Sequence, residues 1–103
     1  MVYTINWTRT ASEGLDRALD PNQFDIPSAS LDLRKRILES VERLATAPHS
    51  GSVVDHASKK YWREVYCHPF RIYYRVFESK RIVSIALIWH ASRDEPTRAD
   101  LLG

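Results

Sequence analysis

The chain is poor in several things, and each shortage excludes something. Of its 103 residues one is cysteine, Cys67. A single thiol rules out an intrachain disulfide framework and suits a reducing cytoplasm. There are three glycines, Gly14, Gly51 and Gly103, which supply no glycine-rich phosphate loop. No window approaches eighteen uncharged apolar residues, so no spanning helix is expected. Met1–Trp7 alternates apolar and polar residues and has neither a basic n-region nor an apolar h-region, so it does not read as a secretory signal. Repeats and low-complexity segments are lacking too. What is present is ordinary for a globular protein: 44% hydrophobic and 27% charged residues. The length suits one domain over residues 1–103, with 94–103 as a C-terminal tail.

The net charge of +2 is small, but its distribution is uneven. Residues 1–58 hold six Lys/Arg and eight Asp/Glu, whereas residues 59–93 hold eight and two. The first segment is therefore −2 and the second +6. Two readings fit: a surface that meets a polyanion or an acidic partner, or chance clustering on a solvated surface.

Hydrophobic periodicity gives the order of elements. Tyr3, Ile5 and Trp7 alternate with Val2, Thr4 and Asn6 as in a strand. Thr8 or Thr10 can cap a helix over Ala11–Leu19, which Asp20-Pro21-Asn22 ends. Gln23–Ser30 reads as a connection anchored by Phe24 and Ile26. Leu31–Ala47 has the clearest helical stripe, Leu33, Ile37, Val41, Leu44 and Ala45, with Ser30 as its N-cap. Pro48 stops it, and His49–Ser52 forms a turn. Residues 53–60 lack a clear period and read as a loop or short strand. Trp62–Cys67, Phe70–Phe77 and Ile82–His90 then read as three strands in an antiparallel meander. The expected class is α+β: a strand, a two-helix hairpin and three strands, with the helices on one face of one sheet.

Strand parity assigns faces. Phe70, Ile72, Tyr74 and Val76 form the core face of one strand; Arg71, Tyr73, Arg75 and Phe77 form the other. Arginines interleaved with aromatic rings suit nucleic acid, as phosphate partners and stacking platforms. In the last strand, Val83, Ile85, Leu87 and Trp89 make the more hydrophobic face. If that face meets the helices, His90 emerges beside Arg71 and Arg75, with Arg93 just beyond. A histidine base among phosphate-binding arginines is a workable set for cleaving a phosphodiester through its neighbouring 2′-hydroxyl. An exposed histidine among surface arginines is the other reading. His49, His56 and His68 have no metal-ligand spacing, and no metal or cofactor is implied. Cys67 reads as a buried structural thiol, Trp62 and Trp89 as packing, and Lys59-Lys60 as a solvated pair that can extend the basic surface.

In order along the chain come Arg43-Leu44-Ala45 to Pro48 and Gly51, then Arg63-Glu64-Val65, then Phe70-Arg71-Ile72-Tyr73-Tyr74-Arg75-Val76, and finally Ile85–Trp89 followed by His90-Ala91-Ser92-Arg93-Asp94. This series resembles the ParE/RelE toxin superfamily, which includes sequences called plasmid stabilisation proteins. The resemblance implies the toxin half of a bacterial type II toxin–antitoxin pair, cytoplasmic, neutralised by a cognate antitoxin and meeting operator DNA only through that complex. It implies that the antitoxin buries apolar surface around the helix pair and sheet edge and lays acidic stretches over the basic sheet face.

The superfamily divides in activity. RelE-like and YoeB-like members cleave mRNA on the ribosome without a metal; ParE-like members poison DNA gyrase. If the chain is a nuclease, the resemblance carries catalytic roles to Arg71, His90 and Arg93. The residues expected to bind RNA or another target on the basic surface are Lys59, Lys60, Arg63, Tyr73 and Arg75. Where YoeB-like enzymes have a tyrosine after the histidine this chain has Ala91, and Glu95–Gly103 contains no tyrosine. The expectation therefore leans to a ParE-like inhibitor that binds gyrase. The alternatives are a ribosome-dependent endoribonuclease, or a degenerate toxin kept for antitoxin binding and autoregulation.

Overall fold

The computed structural model describes residues 2–54 and 61–103. The elements are β1 (Thr4–Trp7), α1 (Arg9–Ala18), α2 (Pro27–Glu42), β2 (Ser52–Val53), β3 (Trp62–Cys67), β4 (Phe70–Phe77), β5 (Ile82–His90) and α3 (Arg98–Leu102). Short 3-10 turns at Pro21–Gln23 and Arg43–Ala45 follow the first two helices. The strands form one mixed sheet in the order β1-β5-β4-β3-β2. β1 runs parallel to β5, and the other pairs are antiparallel. The long connection from β1 to β2, at opposite edges of the sheet, carries α1 and α2 onto one side of it, called here the helix face. Among the described residues no helix is long and apolar enough to cross a membrane.

Thr8 joins the first strand to the first helix. Its hydroxyl accepts from Ala11 N at 3.2 Å as the N-cap and also donates to Ile85 O at 2.8 Å. The cap is thus Thr8, and it fixes where α1 sits on β5. The second helix starts earlier than its hydrophobic stripe suggests. Pro27 occupies the first turn, where its missing N–H is not needed. Ser30 therefore lies inside α2 rather than capping it. Buried there, it donates from Oγ to Leu19 O at 3.0 Å and ties the two helices together. The α-helix ends at Glu42 rather than Ala47, because the chain tightens into a 3-10 turn before Pro48.

The main core lies between the helices and the sheet. Leu15, Leu33, Ile37 and Val41 pack on Ile72, Tyr74, Val83 and Ile85. The opposite, outer face carries a second cluster: Val54, Trp62, Tyr73, Ala86, Leu87, Trp89 and Leu101. Leu101 belongs to α3, so the segment read as a tail folds back over the sheet. Thr97 and Asp100 close α3 with a reciprocal capping box.

One irregularity controls the geometry of the last strand. Tyr73 pairs with Leu87 but Tyr74 pairs with Ile85, so Ala86 is an extra residue on β5. Such a bulge inverts the parity of everything beyond it. Val83 and Ile85 face the helices as expected. Leu87 and Trp89 do not; they join the outer cluster, and Ile88 takes the helix side. The face predicted for the last strand is therefore corrected in its second half.

Candidate functional site

The outer face between β3, β4 and β5 holds two of the basic side chains that the sequence singles out, Arg71 and Arg75. β4 sends Arg71, Tyr73 and Arg75 to it, and the register sets Tyr66, Glu64 and Trp62 of β3 beside them in turn. The Arg75 guanidinium carbon lies 4.8 Å from the centre of the Phe77 ring, 5.6 Å from Tyr61 and 5.7 Å from Trp62. These cation–π contacts hold an arginine at the surface without neutralising it. Tyr61, Tyr66 and Phe77 are 65%, 61% and 38% exposed, so each presents an aromatic ring to solvent near these arginines.

Tyr73 behaves differently from its expected role. It is fully buried and cannot be a stacking platform. The cover comes from α3, Trp62 and Val54, none of which is a near neighbour in sequence. Its hydroxyl has no partner of hydrogen-bond geometry among the described residues. Burial, reinforced by the nearby Glu64 carboxylate, pushes the phenol up to about 12. Tyr73 and then Glu64 favour the Arg71 cation and raise its pKa. Arg71, Tyr73 and Glu64 thus form one electrostatic group. Glu64 is a site residue the sequence reading missed. Period-two parity along β3, applied from Trp62, points to it.

His90 is not part of this face. Beyond the bulge it pairs with Phe70 and stacks edge-on against that ring at 5.3 Å. Phe70 belongs to the main core, so His90 lies on the helix side while Arg71, paired with Trp89, lies on the outer side. The expectation that His90 emerges beside Arg71 and Arg75 is corrected: the extra residue Ala86 turns it away. Its Nδ1 accepts from the Ser92 backbone N–H at 3.1 Å. Arg93 sits at the rim between the faces, with its guanidinium carbon 3.6 Å from the centre of the Trp89 ring.

Arg63 also turns from the outer face. It pairs with Tyr74 and donates to His49 O at 3.1 Å and Gly51 O at 2.8 Å. The structure gives it an anchoring role at the turn before β2. Lys59 and Lys60 lie outside the described residues, as do Asp55 and His56. Cys67 is buried, as expected. Among the described residues no cluster of His, Cys, Asp or Glu could hold a metal ion.

Residues 5–95 match the family described as the ParE toxin of the type II toxin–antitoxin system parDE. The chain belongs to the ParE toxin family. It is the toxin member of a type II toxin–antitoxin pair, and its partner is a cognate antitoxin. No curated protein gives a significant match. Solved structures of similar fold include the chromosomal ParDE system from P. aeruginosa, with a TM-score of 0.72 at 23% identity, over 88% of this chain and 98% of that one. The RelBE2 complex from Mycobacterium tuberculosis gives 0.64 at 22%, over 87% and 99%. A mutant of E. coli RelE in the free state gives 0.64 at 14%, over 89% and 86%. At these identities the likeness concerns the fold. The ParE and RelE groups share it, so residue placement must separate their activities.

Proposed function

We propose that this single-domain, cytoplasmic toxin is a ParE-like growth inhibitor that acts by binding DNA gyrase. Its contact surface is the outer face, with Arg71 and Arg75 as its cations and Tyr61 and Tyr66 as its exposed rings. The observation that carries this reading is the bulge at Ala86. A nuclease needs its proton-transfer group and its phosphate-binding arginine at one reacting centre. Here His90 and Arg71 lie on opposite sides of the sheet.

The second reading is a ribosome-dependent endoribonuclease. It draws support from Glu64, which places a carboxylate beside Arg71 without any need for His90. One experiment separates the two. The toxin is induced without antitoxin, mRNA ends are mapped, and gyrase supercoiling is assayed. Inhibited supercoiling with intact mRNA is the expected outcome. Codon-phased mRNA breaks with normal supercoiling would refute gyrase binding and favour the nuclease. Toxicity is expected to survive His90→Ala and to fall with Arg71→Ala.

A further inference from the structure

The end of the chain has no part in the function proposed above, yet it sits on the face that carries it. α3 lies over Tyr73, with its Leu101 buried among Trp62, Leu87 and Trp89. The strap leading to α3 is fixed as far as Pro96: Trp89 Nε1–H donates to Asp94 O at 2.8 Å, and Pro96 is itself buried. Beyond Pro96, Leu101 is the one buried side chain. The hydrogen bonds of this segment are internal, between Thr97 and Asp100 and from Leu101 N to Thr97 O. A helix of five residues is not stable on its own, and local opening begins at such segments. What lies beneath favours opening. The Tyr73 hydroxyl is buried with no partner of hydrogen-bond geometry among the described residues. Lifting α3 would let water or a ligand relieve that cost.

We propose that α3 is a displaceable cover on the gyrase-contacting face, and that the seat it vacates receives a gyrase segment bearing a leucine-like side chain beside a carboxylate. The inference rests on the gyrase reading. α3 itself displays the chemistry of the occupant. Leu101 fills the apolar seat, and the neighbouring Asp100 supplies a carboxylate. That carboxylate is held below the usual range by the Thr97 N–H and hydroxyl, and also by the Arg93 cation. Asp100-Leu101 thus stands where a partner's acidic and aliphatic pair would lie. Lifting α3 releases Arg93 from Asp100 and uncovers the Tyr73 hydroxyl beside Arg71. Arg93 is kept flat by its stack on Trp89, which orients its fork of donors toward an incoming carboxylate. Nucleic acid has no aliphatic side chain for the Leu101 seat. A protein segment supplies both parts.

The test measures binding of the full chain to purified DNA gyrase. Leu101→Ala removes the anchor of the cover. It should bind gyrase at least roughly threefold more tightly, because apparent affinity scales with the fraction of molecules already open. Tyr73→Phe removes the oxygen that favours opening. It should bind about fivefold more weakly while being no less stable in urea, a split that a purely structural role would not produce. In hydrogen exchange of the wild type, the Leu101 amide should lose protection when gyrase is added. Should Leu101→Ala unfold the chain by circular dichroism, Thr97→Ala replaces it, undoing the capping box with a gain above about twofold expected. Folded variants that bind within about twofold of the wild type overturn the proposal. So does a Leu101 amide that stays protected in the complex, or a gain confined to duplex DNA or single-stranded RNA. Gyrase left unbound by the wild type and the variants alike overturns the gyrase reading itself, a result distinct from binding that ignores α3.

Discussion

Two adjacent tyrosines should respond in opposite ways to loss of the same atom. Tyr74 points to the helix side, where its hydroxyl donates to Pro48 O at 2.8 Å and accepts from Gly51 N at 2.9 Å. Both backbone groups are on buried residues. Tyr74→Phe removes one oxygen and strands two polar groups, and each stranded group costs about 1–3 kcal/mol. Relaxation of the turn recovers part of that, so the expected loss is about 2–4 kcal/mol. That is a large share of the roughly 5–15 kcal/mol by which a domain is stable. Tyr73 has an equally buried hydroxyl with no geometric partner among the described residues. Tyr73→Phe strands nothing, so its expected effect lies between zero and a gain of about 1 kcal/mol. Urea unfolding of the two variants against the wild type measures both. At an m-value of about 1–2 kcal/mol per molar, Tyr74→Phe lowers the midpoint by about 1–4 M, whereas Tyr73→Phe holds or raises it. Equal losses in the two variants, or a loss above roughly 1 kcal/mol for Tyr73→Phe, would refute the reasoning.

The same phenols predict an alkaline limit. Tyr73 titrates near 12 in the folded chain against 10.0 ordinarily, and burial raises Tyr74 in the same direction. A raised pKa gives stability that is full below pH 10 and is lost as the pH climbs toward 12. For Tyr73 the loss is about 2–3 kcal/mol, read from urea midpoints at stepped pH, and it should vanish in Tyr73→Phe. Arg81 holds a left-handed φ of 53° in the β4–β5 hairpin. Arg81→Gly should therefore raise stability by about 1 kcal/mol in thermal unfolding. Thr97→Ala should fray α3 and speed amide exchange at residues 100–102, since the Thr97 hydroxyl accepts from Asp100 N at 3.2 Å.

Much of this was legible in the residues. The three long strands fall where alternation and turns put them, residue for residue. The α1–α2 pair and the Phe70/Ile72/Tyr74 core face follow from periodicity. The start of α2 did not, because residues 27–30 offer proline and serine signals that favour a loop as readily as a first turn. The burial of Tyr73 was out of reach because its cover is tertiary: Leu101 lies 28 residues further along. Placement of the candidate histidine failed for another reason. Alternation counts residues, and a bulge adds one without altering the pattern of side chains. Ile85-Ala86-Leu87 is apolar throughout, so nothing in it marks the step.

That extra residue has a consequence for how relatives are compared. One codon gained or lost in the middle of β5 exchanges what the last four residues present, with every one of them unchanged. Leu87–His90 is in effect a cassette that the fold can insert in either sense. Two toxins whose histidines align in sequence can therefore hold them on opposite surfaces, under different selection and against different partners. Transfer of an active-site assignment between members should begin by counting residues across β4 and β5, before any letter is matched.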